Sequence, residues 1–278
     1  MTEVVALLNH EARQAGFARA LASAFQASEF ELLMATHREL VADVTIAQSV
    51  GDQHCLDPDR PLLWLSPADS AGVGSPDEQF LAAENHAAAR SIALLTRSPV
   101  LNRPSSVSAC GRFPPSSAIA VRRARQIPGL ADGVRPEGFT ATLPDDLDGT
   151  NRHELYDYST GGSSYGCGTD PVGPFRSRAA VPHARLVKVS VIGTRTSTAT
   201  TSPPATTDAS VRIASFFELD LATVWWLIDD TEAAATLARI DCWISHFNCG
   251  GGVGEVAAAI AAWVSAQMSA RTPAEAVR

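Results

Sequence analysis

Lysine is almost missing from this chain. Lys188 is the sole example, and arginine supplies every other strong cation. A role that needs a compact ammonium therefore falls to one position, because a planar guanidinium is not its equivalent. Cysteine is scarce as well. Cys55, Cys110, Cys167, Cys242 and Cys249 form no CxxC pair, and their number is odd. That pattern argues against a zinc site or a disulfide framework and leaves scattered reduced thiols. A basic excess is also absent. The formal net charge is -8 and no basic run interleaves with aromatics, so neither nucleic acid nor an anionic membrane is expected as a partner. No apolar run approaches a bilayer span, and no charged-then-apolar signal opens the N-terminus. A cytoplasmic location is the resulting expectation.

What is present is an ordinary globular composition, 45% hydrophobic and 19% charged over 278 residues, enough to bury a large core. Val4–Asn9 reads as a strand, and His10–Ala27 as a helix with Phe17, Leu21 and Phe25 on one face. Phe30–Met34 is a second strand, His37–Val41 a connection and Thr45–Val50 a short strand. Leu62–Leu65 follows as a strand. Asp77 is expected to cap a helix running to about Thr96, with Ser75-Pro76 as its start signal. Pro99–Asn102 is one more strand. Strands alternating with helices over residues 1–103 predict a small open parallel sheet.

Beyond it, Arg103–Ser117 reads as a Pro/Ser-rich linker. Ser117–Gln126 reads as a short helix whose Arg122, Arg123 and Arg125 form a solvated face. Phe139–Thr142 and Asn151–Tyr158 read as short strands, and Ser159–Gly168 (STGGSSYGCG) as a glycine-serine loop. Val181–Ile192 holds a strong strand, VKVSVI. Thr194–Asp208 is rich in Thr, Ser and Pro and reads as a long mobile loop. Val253–Met268 reads as an Ala-rich amphipathic helix and the last ten residues as a tail.

The centre of the chain is Leu219–Phe247. LATVWWLI is an apolar, β-branched and aromatic run of strand length, Asp229-Asp230 open a turn, and TLARID rises again to end on Asp241. Arg239 and Asp241 are two apart and share a strand face, where an ion pair is the structural alternative to a site. Trp225 and Trp226 are expected to fill the core on alternate faces. Glu218 and Asp220 flank the strand and are expected to be exposed. His246 with Cys249 carries only a weak thiol–imidazole signal.

The order of these pieces resembles the ATP-grasp family, in its branch of amide-forming ligases that act on amino acids and peptides. VLNRPSS (Val100–Ser106) is similar to the turn leaving the family's N-terminal sheet. LYDYSTGGSSYG (Leu155–Gly166) looks like the strand and glycine loop that close over ATP phosphates. RLVKVSVIGTR (Arg185–Arg195) and the pair LDLATVWWLID and LARIDCWISHF look like the strands carrying cation and metal ligands. The resemblance implies an α/β, ATP-grasp-like fold. Residues 1–103 are an N-terminal open parallel sheet domain, residues 104–268 a reduced ATP-grasp α+β region, and residues 269–278 a tail.

It also implies a site. Lys188, Arg239 and Asp241 are its candidate catalytic residues, with Asp241 as the candidate metal ligand. Tyr156, Ser159, Gly161, Gly162, Ser163 and Arg185 fall where the cofactor binds.

The charged positions depart from the family pattern. The family's first lysine falls near Ser117 and its second at Asp157, reversing a charge. The first metal acid falls at Trp225, and the Glu-x-Asn pair at Arg239 and Asp241. Phosphoryl transfer needs cations on the moving oxygens, and each lost donor costs about 2–4 kcal/mol in a dry site. Magnesium needs one or two carboxylates together with substrate phosphates. The resident cofactor is thus unknown, and ATP and Mg are disfavoured. The resulting expectation is a degenerate ATP-grasp-like protein of a specialised-metabolite or peptide-modifying pathway, binding a small molecule or peptide between its domains without ordinary ATP turnover. If it is an enzyme, it is a ligase of this type or an ATP-independent derivative. The alternatives are a working ATP-dependent carboxylate–amine ligase with relocated ligands, or a non-catalytic partner subunit. A homo-oligomer or a partner enzyme is open to each.

Overall fold

The computed structural model describes residues 2–9, 16–48, 54–66, 75–105, 117–130, 138–140, 153–157, 163–165, 175–179, 184–229, 235–243 and 249–271. The N-terminal lobe opens with β1 (Thr2–Leu7), α1 (Gly16–Gln26), β2 (Phe30–Ala35) and α2 (His37–Asp43). A two-stranded hairpin follows, β3 (Thr45–Gln48) and β4 (His54–Asp57), then β5 (Leu62–Trp64), α3 (Pro76–Leu95) and β6 (Val100–Leu101). The strands β2-β1-β5-β6 form one parallel sheet. A parallel sheet is covered on both faces, so its strands read as continuous apolar runs, as VVAL in β1 does. Val4, Ala6 and Leu8 face one core, against α1. Val5 and Leu7 face another, which holds Leu40 of α2 and Ile92 and Ala93 of α3.

Several local expectations shift. Ser75, not Asp77, caps α3. Its side chain accepts from the Glu78 N–H while the Glu78 carboxylate accepts from the Ser75 N–H, with Pro76 at the first helical position. Thr36 and Glu39 form the same reciprocal cap on α2, so the expected connection after β2 is a helix. His10–Ala15 of the expected first helix lies outside the described residues.

The second part begins with α4 (Ser117–Ala124) and a four-stranded antiparallel sheet of β7 (Gly138–Thr140), β8 (His153–Asp157), β9 (Ser163–Tyr165) and β10 (Phe175–Ala179), in the order β7-β10-β8-β9. Part of the expected glycine-serine loop is therefore strand: Ser163–Tyr165 pairs with β8. A second antiparallel sheet holds β11 (Arg185–Ile192), β12 (Arg195–Ser197), β13 (Leu221–Ile228) and β14 (Ala235–Asp241), in the order β12-β11-β13-β14. The expected Thr194–Asp208 loop instead contains β12 and the start of α5 (Pro204–Phe216). Pro204 begins α5 at a position where its missing N–H costs nothing. The inner face of α5 is mostly small, with Thr206, Ala209, Ser210 and Ala214 around the one large residue Ile213. It packs on Val187, Val189 and Val191 of β11 and on Val224 and Trp226 of β13, together with Ala120, Val121 and Ala124 of α4. The Trp226 indole donates to Ser210 Oγ at 2.9 Å.

The last described element, α6 (Val253–Arg271), ties the lobes together. Its Val256, Ala257, Ile260 and Val264 share one core with Phe17 and Leu21 of α1, Val4 of β1, Ile192 of β11 and Leu221 of β13. α6 is also the one helix among the described residues long and apolar enough to cross a membrane, yet this face of it is packed in the core.

A second tie is polar. Asn102 is fully buried, in a left-handed conformation at φ 59°. Its amide donates to Leu221 O at 2.8 Å and to Cys242 O at 2.9 Å, and its Oδ1 accepts from the Leu221 N–H at 2.8 Å. The neighbouring Arg103 donates to Ala93 O, Thr96 O and Ser98 O, satisfying carbonyls at the end of α3. Asn is among the few non-glycine residues that tolerate this backbone region. Replacing it with Ala strands three buried backbone groups, so Asn102→Ala should lower unfolding stability by about 2–4 kcal/mol. Asn102→Asp should cost more, because it turns an acceptor toward two carbonyls. Chemical denaturation of both variants checks the order.

In the N-terminal lobe, the rings of His37, Trp64 and His86 meet pairwise with centroids 5.0 to 5.7 Å apart. Burial, and secondarily Arg90, hold the His86 imidazole below its ordinary 6.5. The folded state therefore binds fewer protons here than the unfolded chain. The stability this provides is present above pH 6.5 and lost as pH falls through the lower folded value. The melting temperature should fall between pH 7.5 and 5, and His86→Phe should flatten part of that slope in a calorimetric series.

Candidate functional site

One face of the β12-β11-β13-β14 sheet is apolar and covered by α4 and α5. The other carries two polar rows across three strands. In the first row, Lys188 on β11 lies opposite Trp225 on β13, and Trp225 lies opposite Arg239 on β14. In the second, Ser190 lies opposite Thr223, and Thr223 opposite Asp241. Strand alternation places all six on the same side.

Lys188 Nζ is 4.3 Å from the Trp225 ring centroid and Arg239 Cζ is 5.5 Å from it. Both cations thus rest on one indole, a contact worth about 0.5–2 kcal/mol each. Arg239 Nε also donates to Asp241 Oδ1 at 2.6 Å. The guanidinium is half exposed while Asp241 is buried, so the pair is screened on one side only. Asp241 Oδ2 has no hydrogen-bond partner among the described residues. A register shift between Trp225 and Trp226 makes the two rows possible. Trp225 pairs with Arg239 but Trp226 pairs with Leu237, leaving Ala238 as the extra residue of a bulge. Trp226 enters the core as expected, whereas Trp225 is half-buried beneath the two cations.

The second row is closed by the chain before α6. The Gly250 N–H donates to Ser190 Oγ at 2.7 Å, and Ser190 Oγ lies 3.3 Å from Thr223 Oγ1. A Cβ on Gly250 would come within 2.4 Å of the Ser190 backbone nitrogen. Beside it, burial pushes the Cys249 thiol up to about 11, against the opposing pull of Lys188. Cys249 is therefore a protonated thiol rather than a nucleophile at neutral pH. His246 lies outside the described residues.

The remaining expected residues are dispersed. Arg185 starts β11 on the row opposite to Lys188 and donates to Thr201 O at 2.9 Å. Tyr156 and Ser163 face each other across the β8–β9 pairing, on a different sheet from Lys188. Ser159, Gly161 and Gly162 lie outside the described residues. Asp157 ends β8. Arg122 and Arg125 are exposed as expected, and Arg123 lies over Phe217 at 5.4 Å.

A cleft of about 770 Å³ lies at the junction of the lobes, lined by residues that the sequence reading did not name for it. Arg103, Ile192, Arg195, Asp220, Ala259 and Trp263 help line it. Asp220, expected to be exposed, is half-buried there. It accepts from the Asn102 backbone N–H and the Trp263 indole, and burial raises its carboxyl above the ordinary 3.8. The signal for this cleft was weak: an acid beside a strand start and one tryptophan in an alanine-rich helix.

Solved structures with this architecture were found, but no protein-family model and no curated protein matches the chain. The macrocyclase MdnC of Microcystis aeruginosa, bound with precursor peptide MdnA, superposes with a TM-score of 0.67 at 11% identity, over 96% of this chain and 100% of MdnC. A RiPP-associated ATP-grasp ligase of Chryseobacterium gregarium, in complex with ADP and a leader and core peptide, gives 0.63 at 9% identity, over 96% and 97% of the two chains. A RimK domain ATP-grasp protein of Sphaerobacter thermophilus gives 0.57 at 18% identity, over 95% and 100%. The chain has an ATP-grasp-like fold.

Within that fold, Mg²⁺ fits the residues of this sheet face poorly. The ion needs one or two carboxylates beside substrate phosphates. Among the described residues, Asp241 is the one carboxylate on the polar face, a guanidinium already occupies its Oδ1, and an indole fills the strand position opposite Arg239. Among the described residues, no group of three or more His, Cys, Asp or Glu could hold a metal. Gly250 should be intolerant of any side chain. Gly250→Ala is expected to lower stability by about 2 kcal/mol or more, since backbone must move to admit the methyl group. Thermal melting of that variant beside Gly254→Ala, where a Cβ meets nothing within 4 Å, checks this.

Proposed function

We propose that this chain is a degenerate ATP-grasp-like protein of a peptide-modifying biosynthetic pathway, acting in the cytoplasm. It holds a small molecule or peptide segment between its lobes without ordinary ATP turnover. The observation that carries this reading is the double use of Arg239, which pairs with Asp241 and rests with Lys188 on Trp225. Cations that would meet phosphate oxygens are committed to an indole and a carboxylate. One oxygen of the carboxylate that would meet a metal, Asp241 Oδ1, is committed to a guanidinium. The lobe-junction cleft, at about 770 Å³, is of a size that ligand sites occupy. Peptide chemistry enters from the fold neighbours, whose structures hold precursor, leader and core peptides. A ligase with relocated ligands would need Arg185 to join Lys188, and their opposite rows speak against it.

Thermal-shift titration with Mg-ATP and Mg-ADP tests the reading. A ligand present at a hundred times its dissociation constant stabilises by about 2.7 kcal/mol. No shift is expected up to millimolar nucleotide. A saturable rise in melting temperature that needs both nucleotide and magnesium would overturn the proposal and restore the ligase.

A further inference from the structure

Three buried side-chain nitrogens of the N-terminal lobe have no hydrogen-bond partner among the described residues: Trp64 Nε1, His86 Nδ1 and Arg90 Nε. They belong to one cluster. Trp64 ends β5 and is fully buried, among Leu40 of α2 and Ala89 and Ile92 of α3. Its ring meets that of His86 on α3 edge-on, with centroids 5.7 Å apart, and Arg90 follows His86 by one helical turn. His37, the first residue of α2, joins them with its ring 5.0 Å from Trp64 and 5.3 Å from His86. Native structures leave few buried polar groups unsatisfied, and three in one place point to an occupant.

Charge decides what the occupant is. Trp64 Nε1 and Arg90 Nε can only donate, and a neutral imidazole donates from whichever nitrogen carries its proton. Two other arginines are answered: Arg60 pairs with Glu3 and Asp43, and Arg103 donates to three carbonyls. Arg90 is half-buried, and among the described residues no carboxylate pairs with it. A desolvated guanidinium needs a counter-charge, and an oxyanion is its best geometric match. A metal ion does not fit, because Arg90 repels it and no group of three or more His, Cys, Asp or Glu among the described residues could hold one. The position agrees with the chemistry. In the order β2-β1-β5-β6 the chain moves outward one way from β1 to β2 and the other way from β5 to β6, so the switch point lies between β1 and β5. Open sheets take ligands outside the carboxyl ends of their strands at that point. Trp64 is the carboxyl end of β5, and His37 follows the carboxyl end of β2. We propose that a small oxyanion, a carboxylate or phosphate group, binds between α2 and α3 over the end of β5, accepting from the Trp64 indole, the His86 imidazole and the Arg90 guanidinium. None of these residues lines the lobe-junction cleft, so the site is independent of the function proposed above.

Thermal melting of the full chain with sodium phosphate or sodium acetate, added at constant ionic strength, tests this. A saturable rise in melting temperature is expected with at least one of the two probes, and the stronger one tells a phosphate-bearing ligand from a carboxylate. Arg90→Gln keeps a polar side chain without the charge and should raise the apparent dissociation constant about 10-fold or more. A second measurement on the parent chain covers the case in which that variant is unstable. The indole N–H resonance of Trp64, assigned through Trp64→Phe, should move with the same saturation curve. A rise that does not saturate, or that is equal in Arg90→Gln, is the general stabilisation that excluded salts give and overturns the proposal. A Trp64 indole resonance unmoved by either probe up to about 20 mM also overturns it and leaves the three nitrogens to ordered water.

Discussion

Three hydrogen bonds from one side chain decide how the two parts of this molecule meet. Asn102 leaves the last strand of the parallel sheet and reaches the first residue of β13 and the residue just after β14. Those two strands carry Trp225 and Asp241. The relation between the N-terminal lobe and the polar sheet face is therefore set at the start of β13, not by a flexible linker. The same turn orients Arg103 and, through its backbone N–H, Asp220. Fold and site thus share a hinge point, with both its acceptors and its donor drawn from backbone groups that have no other route out of the core.

The polar face shows how charge is managed when a site is lined by opposite signs. Asp241 is buried, and a buried carboxylate is costly unless a partner lies at short range. Arg239 supplies one, two residues away on the same strand. Trp225 then gives Arg239 and Lys188 a low, broad surface on which to lie, and the cations cover it from two neighbouring strands. The result is a self-neutralising patch. Its charges answer one another, and an incoming phosphate or metal would have to displace contacts already formed.

Much of this was legible in the chain. The strands β1, β11, β13 and β14 announce themselves as apolar or alternating runs, and the i, i+2 spacing of Arg239 and Asp241 already allows their ion pair. α5 was not legible, because its buried face is small and partly polar and follows two prolines. Such a face becomes apolar only against a sheet that can accept it, here with Ser210 taking the Trp226 indole proton. The shared ring under Lys188 and Arg239 was hidden too. It depends on cross-strand register, and that depends on a one-residue bulge at Ala238. The partners of Asn102 lie 119 and 140 residues away, beyond any local signal.

The position of α6 has a consequence for how the protein is made. The outer side of the parallel sheet, with Val4, Ala6 and α1, is completed by a helix that begins at Val253. On the ribosome, the first lobe lacks this cover until the chain has been extended past Val253. Contacts so distant along the chain form slowly, and an unfinished apolar face invites association with other nascent chains. Maturation of the first lobe is thereby deferred until the helix that begins at Val253 has emerged.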